Sequence, residues 1–273
     1  MSPLELNVWI CGAVTVGCWL ASVLTREYSW TDRMWSIAPV VYVWVFTGAT
    51  SEPRAVLVAV LVTVWGARLT FNFARKGGYA PGGEDYRWAI LRDRLPGWRF
   101  ALFNLGFIAV AQNVLLLAIT LPVWTIAATP GPLGAADVVA TVVFVAFLVG
   151  ETVADQQRWD FHRTNSGGGV LRTGLFRYSR HPNYFCEIGQ WWVVFVFAVI
   201  AAGTPWLWSA AGPLALTALF IGSTLFTEQI SAGRHPGYAD YRRSTSMLVP
   251  LPPRPVTTDS AHVPERSTAT RHT

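Results

Sequence analysis

The stretch GLFRYSRHPNYFCEIGQWW, residues 174–192, sets two arginines, a histidine, an asparagine and a glutamate at the mouth of an apolar run. Asn183 and Glu187 stand four residues apart, the spacing that puts two side chains on one face of a helix. Pro182 suits a first helical turn, where a missing N–H costs nothing. From residue 185 the chain stays apolar to residue 203, long enough for a helix to cross hydrocarbon about 30 Å thick. Polar and ionisable groups at such a mouth are costly to hold beside lipid, which makes them functional candidates by default.

Outward from this point the chain keeps the same character. It has 273 residues, 52% hydrophobic and 14% aromatic, with a mean hydropathy of +0.35. That is high for a soluble domain, and the chain reads as an all-α polytopic helix bundle in a membrane. Seven apolar stretches approach spanning length: residues 4–24, 34–50, 55–73, 100–124, 135–154, 185–203 and 206–226. The second is short and contains Pro39. The last two are separated only by Gly203, Thr204 and Pro205, which predicts a tight helical hairpin. Six or eight spans also fit the pattern.

Basic residues favour the odd count. They gather in the first connection (Arg26, Arg33), across residues 75–99, across residues 158–180 and after the last span, while the alternate connections hold almost none apart from Arg54. With seven spans, the positive-inside rule puts every basic connection and the C-terminus in the cytoplasm and the N-terminus outside. Residues 1–24 lack the basic n-region and the cleavage site of a signal peptide and read as a retained helix. The alanine, valine and arginine bias is compatible with a GC-rich bacterial source, so the expected location is the bacterial cytoplasmic membrane.

The net charge of +5 is mostly this topology signal, and no separate basic patch for nucleic acid is evident. Cys11, Cys18 and Cys186 show no paired spacing for zinc or redox work and read as small buried side chains. No metal site is expected. Residues 1–253 read as one membrane domain, and residues 254–273 as a disordered tail with too little apolar content to offset chain entropy.

Three polar segments connect the spans. Residues 75–99 begin with glycine-rich turns and continue as an interfacial amphipathic helix, with Trp88 and Trp98 at the headgroup level. Residues 154–184 continue helically, break at residues 166–169 and re-enter the membrane. Residues 228–250 leave the last span. Together these connections supply Asp155, Arg172, Arg177, Tyr178, Arg180, His181, Asn183, Tyr184, Glu187, His235 and Tyr241 on one side of the bundle. Arginines pair with phosphates, and carboxylates and amides with ribose hydroxyls or a carboxamide, so a nucleoside-bearing cofactor fits the inventory. The SGGGV of residues 166–170 lacks Rossmann spacing and is most simply a turn.

The motif GLFRYSRHPNYFCE (residues 174–187), with ADQQ (154–157) and YADYRRSTSMLVP (238–250), resembles the cofactor-binding half of the steroid 5-alpha-reductase family. DRMWSIAPV (32–40), WGARLTFNFARKGGY (65–79) and EDYRW (84–88) resemble its bacterial, functionally uncharacterised branch. The resemblance implies a seven-helix membrane fold that binds NADPH at a cytosolic cavity and transfers hydride to an activated C=C bond. It implies cofactor contacts at Asp155, Arg172, Asn183 and Glu187, with Tyr241 a weaker match. Each has a bland alternative. Asn183 would serve equally as a helix cap, the arginines as topology signals, and His181 as a support for the turn.

Reduction of an enone also needs a donor aimed at the carbonyl oxygen and a cavity that excludes water. The candidate catalytic residues are Asn72, Glu84, Asp85 and Tyr86, with Asp32, Arg68 and Tyr79 nearby. Steroid reductases carry a tyrosine where this chain has RLTFNFARKGG (68–78), so EDYR stands as the substitute donor site, or as a solvated turn. The expected substrate is lipid-like, a steroid, sterol or isoprenoid enone, with membrane lipids as the surroundings. A rival resemblance is to isoprenylcysteine carboxyl methyltransferases, which bind S-adenosylmethionine. RHPNY (180–184) and Glu228 do not discriminate between the two. A non-catalytic lipid-binding or transport protein predicts charges spread through the bundle, whereas here Glu151, Glu187 and Arg68 are the nearest to mid-depth.

Overall fold

The computed structural model describes residues 1–95, 97–165 and 169–255. Twelve α-helices form, and among the described residues the only β feature is an isolated bridge between Ser179 and Ser246. Helix α1 (Pro3–Thr25) opens with a capping box, Ser2 and Glu5 satisfying each other's backbone N–H. Then come α2 (Trp30–Met34), α3 (Ala38–Gly48), α4 (Pro53–Arg75), α5 (Tyr86–Arg94) and α6 (Trp98–Phe103). A π-helical stretch, Asn104–Ala111, carries α6 into α7 (Gln112–Ala118), and α8 (Leu121–Ala128) follows. The chain closes with α9 (Ala135–Thr164), α10 (Pro182–Ala202), α11 (Ala211–Arg234) and α12 (Tyr238–Ser244). Proline sits in the first turn of α1, α3, α4, α8 and α10, where its fixed φ helps the helix start.

Among the described residues, six helical segments are long and apolar enough to cross a membrane: Pro3–Thr25, Pro53–Arg75, Trp98–Ala128, Ala135–Thr164, Pro182–Ala202 and Trp208–Arg234. The stretch 34–50 differs from expectation. Only the 11 residues of α3 are helical there, about 16 Å at 1.5 Å per residue, because residues 30–37 fold into the bundle instead of extending the helix. The last hairpin is also looser than expected. Gly203 ends α10 at φ 67°, and a 3-10 turn, Trp208–Ala210, intervenes before α11.

The basic connections meet at one end of the bundle. Arg75 donates to Gln156 at 2.7 Å, Arg234 lies over the Tyr86 ring, and Arg158 over Phe176. Arg54, the exception in the sequence, closes the opposite end in a buried fork on Asp137 at 2.6 and 3.0 Å.

The core lies where α3, α4, α8 and α10 converge, with Trp65 edge-on to Trp191 at 5.0 Å. Helices α9 and α10 approach closely through small residues, the membrane-helix packing mode. A Cβ on Gly150 would stand 2.9 Å from Cys186 Sγ, and one on Gly189 would enter the Phe147 ring. Val138, Val139, Val142, Val145 and Val149 of α9 stay exposed, an apolar face suited to lipid. All three cysteines are free and buried.

Residues 75–99 depart from an interfacial helix. Trp98 is exposed, but Trp88 is 5% exposed and points inward, its indole donating to Asp32 at 2.7 Å. Most of the expected break at residues 166–169, and all but the first two residues of the expected tail 254–273, lie outside the described residues.

Candidate functional site

A cavity of about 580 Å³ opens between α2, α4, α5, the π stretch and α9 to α11. One wall is polar. Arg68, from α4, donates to Glu151 at 2.5 Å and to Asp155 at 2.7 Å, both on α9 and one helical turn apart. Asn72, one turn further along α4, donates to the same Asp155 oxygen at 2.8 Å, and its own carbonyl accepts from Arg75. Lys76 approaches the other Asp155 oxygen at 3.6 Å. From α10, Gln190 donates to Glu151 at 2.7 Å. These bonds join three helices at the level where the basic connections begin.

Asn183 and Glu187 face the same cavity from α10. His181 is the cap residue of that helix and makes no side-chain cap bond, so Asn183 is an inner first-turn residue and not the cap. Asn183 Oδ1 is buried and has no hydrogen-bond partner among the described residues. Arg158 lies on the cavity wall with no carboxylate partner among the described residues. Buried polar atoms without partners are rare, and on one wall with a cation that no carboxylate offsets among the described residues, the amide oxygen makes this wall receptive to an anionic ligand with a hydrogen-bonding group.

The opposite wall is aromatic, with Trp35, Trp88, Phe103, Phe107 and Phe220 around Asp32 and Asp85. Arg87 grips Asp85 with Nε and Nη2 at 2.9 and 2.8 Å and reaches Ser223 of α11 at 2.6 Å. Asp32 takes one bond from Trp88 and no cation of its own. Burial, and then the neighbouring Asp85 charge, push the Asp32 carboxyl above its usual range, which favours the protonated form. Burial correspondingly lowers Lys76.

The candidates named from sequence divide. Asn72, Asp85, Asp155, Asn183, Tyr184 and Glu187 line the cavity. Of the other members of the EDYR group, Arg87 lines the cavity, while Glu84 and Tyr86 do not. Glu84 accepts the Tyr28 N–H at 2.7 Å and shapes the turn, while Tyr86 is 45% exposed beneath Arg234.

Arg180 is committed elsewhere. Its guanidinium is forked on Glu228 at 2.6 and 3.0 Å and satisfies the Arg242 and Thr245 carbonyls. His181 stacks on Tyr184 beside that pair. Tyr241 donates to the Phe176 carbonyl at 2.6 Å, and Arg172 lies over its ring and donates to Gly237 O. These residues tie the C-terminal segment to the 174–181 turn, as do the Arg180 N–H to Ser246 and the His181 N–H to Met247 bonds. Arg172, Arg177 and Tyr178 remain exposed near this turn, and His235 is half-buried at the end of α11.

Sequence reading missed Arg87, Trp88 and Gln112 as cavity residues. Arg87 sits in a segment read as interfacial, where charge is expected. Gln112 was legible as one of three amides, with Asn104 and Asn113, in an otherwise apolar span.

Comparison with known proteins agrees with this chain-wide organisation. The family described as "Protein of unknown function (DUF1295)" matches residues 18–245. An uncharacterized protein of Schizosaccharomyces pombe is 34% identical over 258 residues, covering 85% of this chain and 75% of the yeast protein. No solved structure matches the chain. The match runs from the first apolar helix to the strap beyond α11, and the protein belongs to the DUF1295 family, which is related to steroid 5-alpha-reductase-like proteins.

Proposed function

We propose that the protein is an NADPH-dependent membrane reductase acting on the activated C=C bond of a lipid-like enone. The supporting observation is one cavity with two chemically distinct walls. A polar wall carries an Asn183 carbonyl without a hydrogen-bond partner and an Arg158 without a carboxylate partner among the described residues, and an aromatic wall carries the Asp32 carboxyl. Its volume, about 580 Å³, lies in the range of roughly 300–1,000 Å³ usual for small-molecule sites.

The residues present fit the cofactor. Asn183 Oδ1 accepts from a carboxamide N–H, Glu187 holds the next turn of the same face, and Arg158 with Lys76 offsets phosphate charge at the mouth. Arg172 and Arg177 extend that positive surface outside. When bound, NADPH supplies the hydride. The aromatic wall excludes water and holds a flat apolar substrate in line. In its protonated form, which burial favours, Asp32 offers an O–H to the carbonyl oxygen where negative charge develops. Asp85 is less suited to that task, because both its oxygens are held by Arg87. In this reading the basic end of the bundle faces the cytoplasm, where the cofactor is.

The test is thermal stabilisation of the detergent-purified protein by NADPH, NADH and S-adenosylmethionine, since a ligand that binds only the native state raises apparent stability. A shift with NADPH supports the reading. A shift with S-adenosylmethionine alone replaces it with methyl transfer, and no shift with a nicotinamide cofactor overturns it.

A further inference from the structure

Gln112 is a polar side chain with no evident structural task. It begins α7 in mid-span, is 5% exposed, and lines the cavity with its Oε1 unpartnered among the described residues. A buried amide left without partners carries a desolvation penalty that an apolar residue of similar size would not. Asn104, Asn113 and Thr120 of the same span each donate a side-chain bond, and although Asn104 Oδ1 and Asn113 Oδ1 also lack a partner among the described residues, neither residue lines the cavity. Asn104 donates to Ser22 at 2.9 Å, Asn113 donates to Ala109 O at 2.7 Å and reaches Thr31, and Thr120 donates to Leu117 O.

The backbone explains why Gln112 faces inward. In an α-helix, residues five apart point about 140° away from each other at 3.6 residues per turn, so Gln112 would diverge from Phe107. The stretch Asn104–Ala111 is π-helical, and the Gln112 N–H donates to Phe107 O, five residues back. A π turn brings residues five apart nearly into register. Phe103, Phe107 and Gln112 therefore share the cavity face. The neighbouring Asn113 reaches Thr31 at 3.5 Å, which brings this turn of α7 beside α2 and Asp32.

We infer that Gln112 is the specificity-determining contact for the substrate's head group: its amide hydrogen-bonds an oxygen function, ketone or hydroxyl, of a lipid seated between Phe103, Phe107 and Trp35. An amide offers both a donor and an acceptor, so it matches either oxygen function but nothing on a plain hydrocarbon. It supplies a second polar contact on the wall that carries Asp32. The inference rests on the reductase reading for the presence of a lipid substrate at this wall.

Two probes read this out in the detergent-purified protein: a sterol with a conjugated ketone, and the same ring system lacking the oxygen. Thermal-shift titrations are run with each probe and, separately, with NADPH. The wild type is expected to bind the ketone at least tenfold more tightly than the hydrocarbon. In Gln112→Leu that preference falls about tenfold, while the hydrocarbon affinity and the NADPH shift stay unchanged. Gln112→Asn, which keeps the amide on a shorter arm, is expected to fall between them, and it carries the test if the leucine variant does not fold. Equal binding of ketone and hydrocarbon by the wild type, or an undiminished preference in the folded variants, overturns the inference. Failure of NADPH to stabilise the wild type is a separate outcome and strikes the reductase reading itself.

Discussion

Trp35 Nε1 donates to Glu187 Oε1 at 3.1 Å, across 152 positions of sequence. This bond ties the inward-folded segment between α2 and α3 to the polar face of α10, so the aromatic and polar walls of the cavity meet through it. A carboxylate at membrane depth needs partners, and here one comes from the N-terminal half of the chain.

That bond separates two effects of changing Glu187. Glu187→Gln keeps an acceptor for Trp35 and is expected to fold normally, whereas Glu187→Ala leaves the indole unpaired and lowers thermal stability. Asn183→Ala touches no intramolecular bond of its Oδ1, so its stability should hold while NADPH affinity drops roughly tenfold, about 1.4 kcal/mol. Titration calorimetry of both variants checks this, and unchanged affinity in Asn183→Ala and Glu187→Gln alike would remove the cofactor assignment.

Arg180 and Glu228 are 8% and 2% exposed in their side chains and form a bidentate pair. Removing one partner leaves a buried charge uncompensated, a loss of about 3–5 kcal/mol. Glu228→Ala should therefore melt much lower than wild type and loosen the segment that runs back along residues 178–181. Asp137→Ala, which strands Arg54 at the opposite end, should destabilise comparably yet leave NADPH affinity intact in the folded fraction. Melting curves with and without NADPH distinguish the two ends.

His181 sits outside the spans, and its imidazole is held below the usual 6.5, chiefly by burial. Arg158 and Arg180 add to that depression, while Glu228 opposes it. The Glu228 carboxylate lies 3.3 Å from Nε2 without hydrogen-bond alignment. The folded state thus prefers neutral histidine, and the unfolded chain binds the extra proton as pH falls. The stability contribution is present above pH 6.5 and is lost as pH drops through the folded-state value. Melting temperature should decline over that acidic window in the wild type and less so in His181→Gln.

Two glycines of α11 should respond oppositely to alanine. A Cβ on Gly212 would stand 2.2 Å from the Ala118 carbonyl oxygen, backbone that has no rotamer to yield, while Gly222 has nothing within 4 Å. Gly212→Ala is expected to cost about 1–3 kcal/mol by overpacking, and Gly222→Ala close to nothing. Gly222 lines the cavity, so Gly222→Trp should instead exclude lipid probes without moving the melting temperature. Thermal unfolding and probe titration test both.

Sequence alone determined the helical membrane class, most of the long apolar segments and the gathering of polar groups at one end. Each of these follows from composition and local spacing: apolar length matches hydrocarbon thickness, arginines avoid one side, and the four-residue offset of Asn183 and Glu187 puts them on one face. Tertiary structure decided which polar groups face the cavity and which are consumed elsewhere. Arg180 and Arg177 look alike in sequence, yet one is saturated by Glu228 and two carbonyls and the other is exposed. Asp32 joins Asp85 of the EDYR turn at the aromatic wall because residues 30–37 fold inward, and Gln112 reaches it because the helix widens to a π turn. Long-range pairing and a local change of helical pitch leave no periodic trace in the chain, so only the packed bundle reveals them.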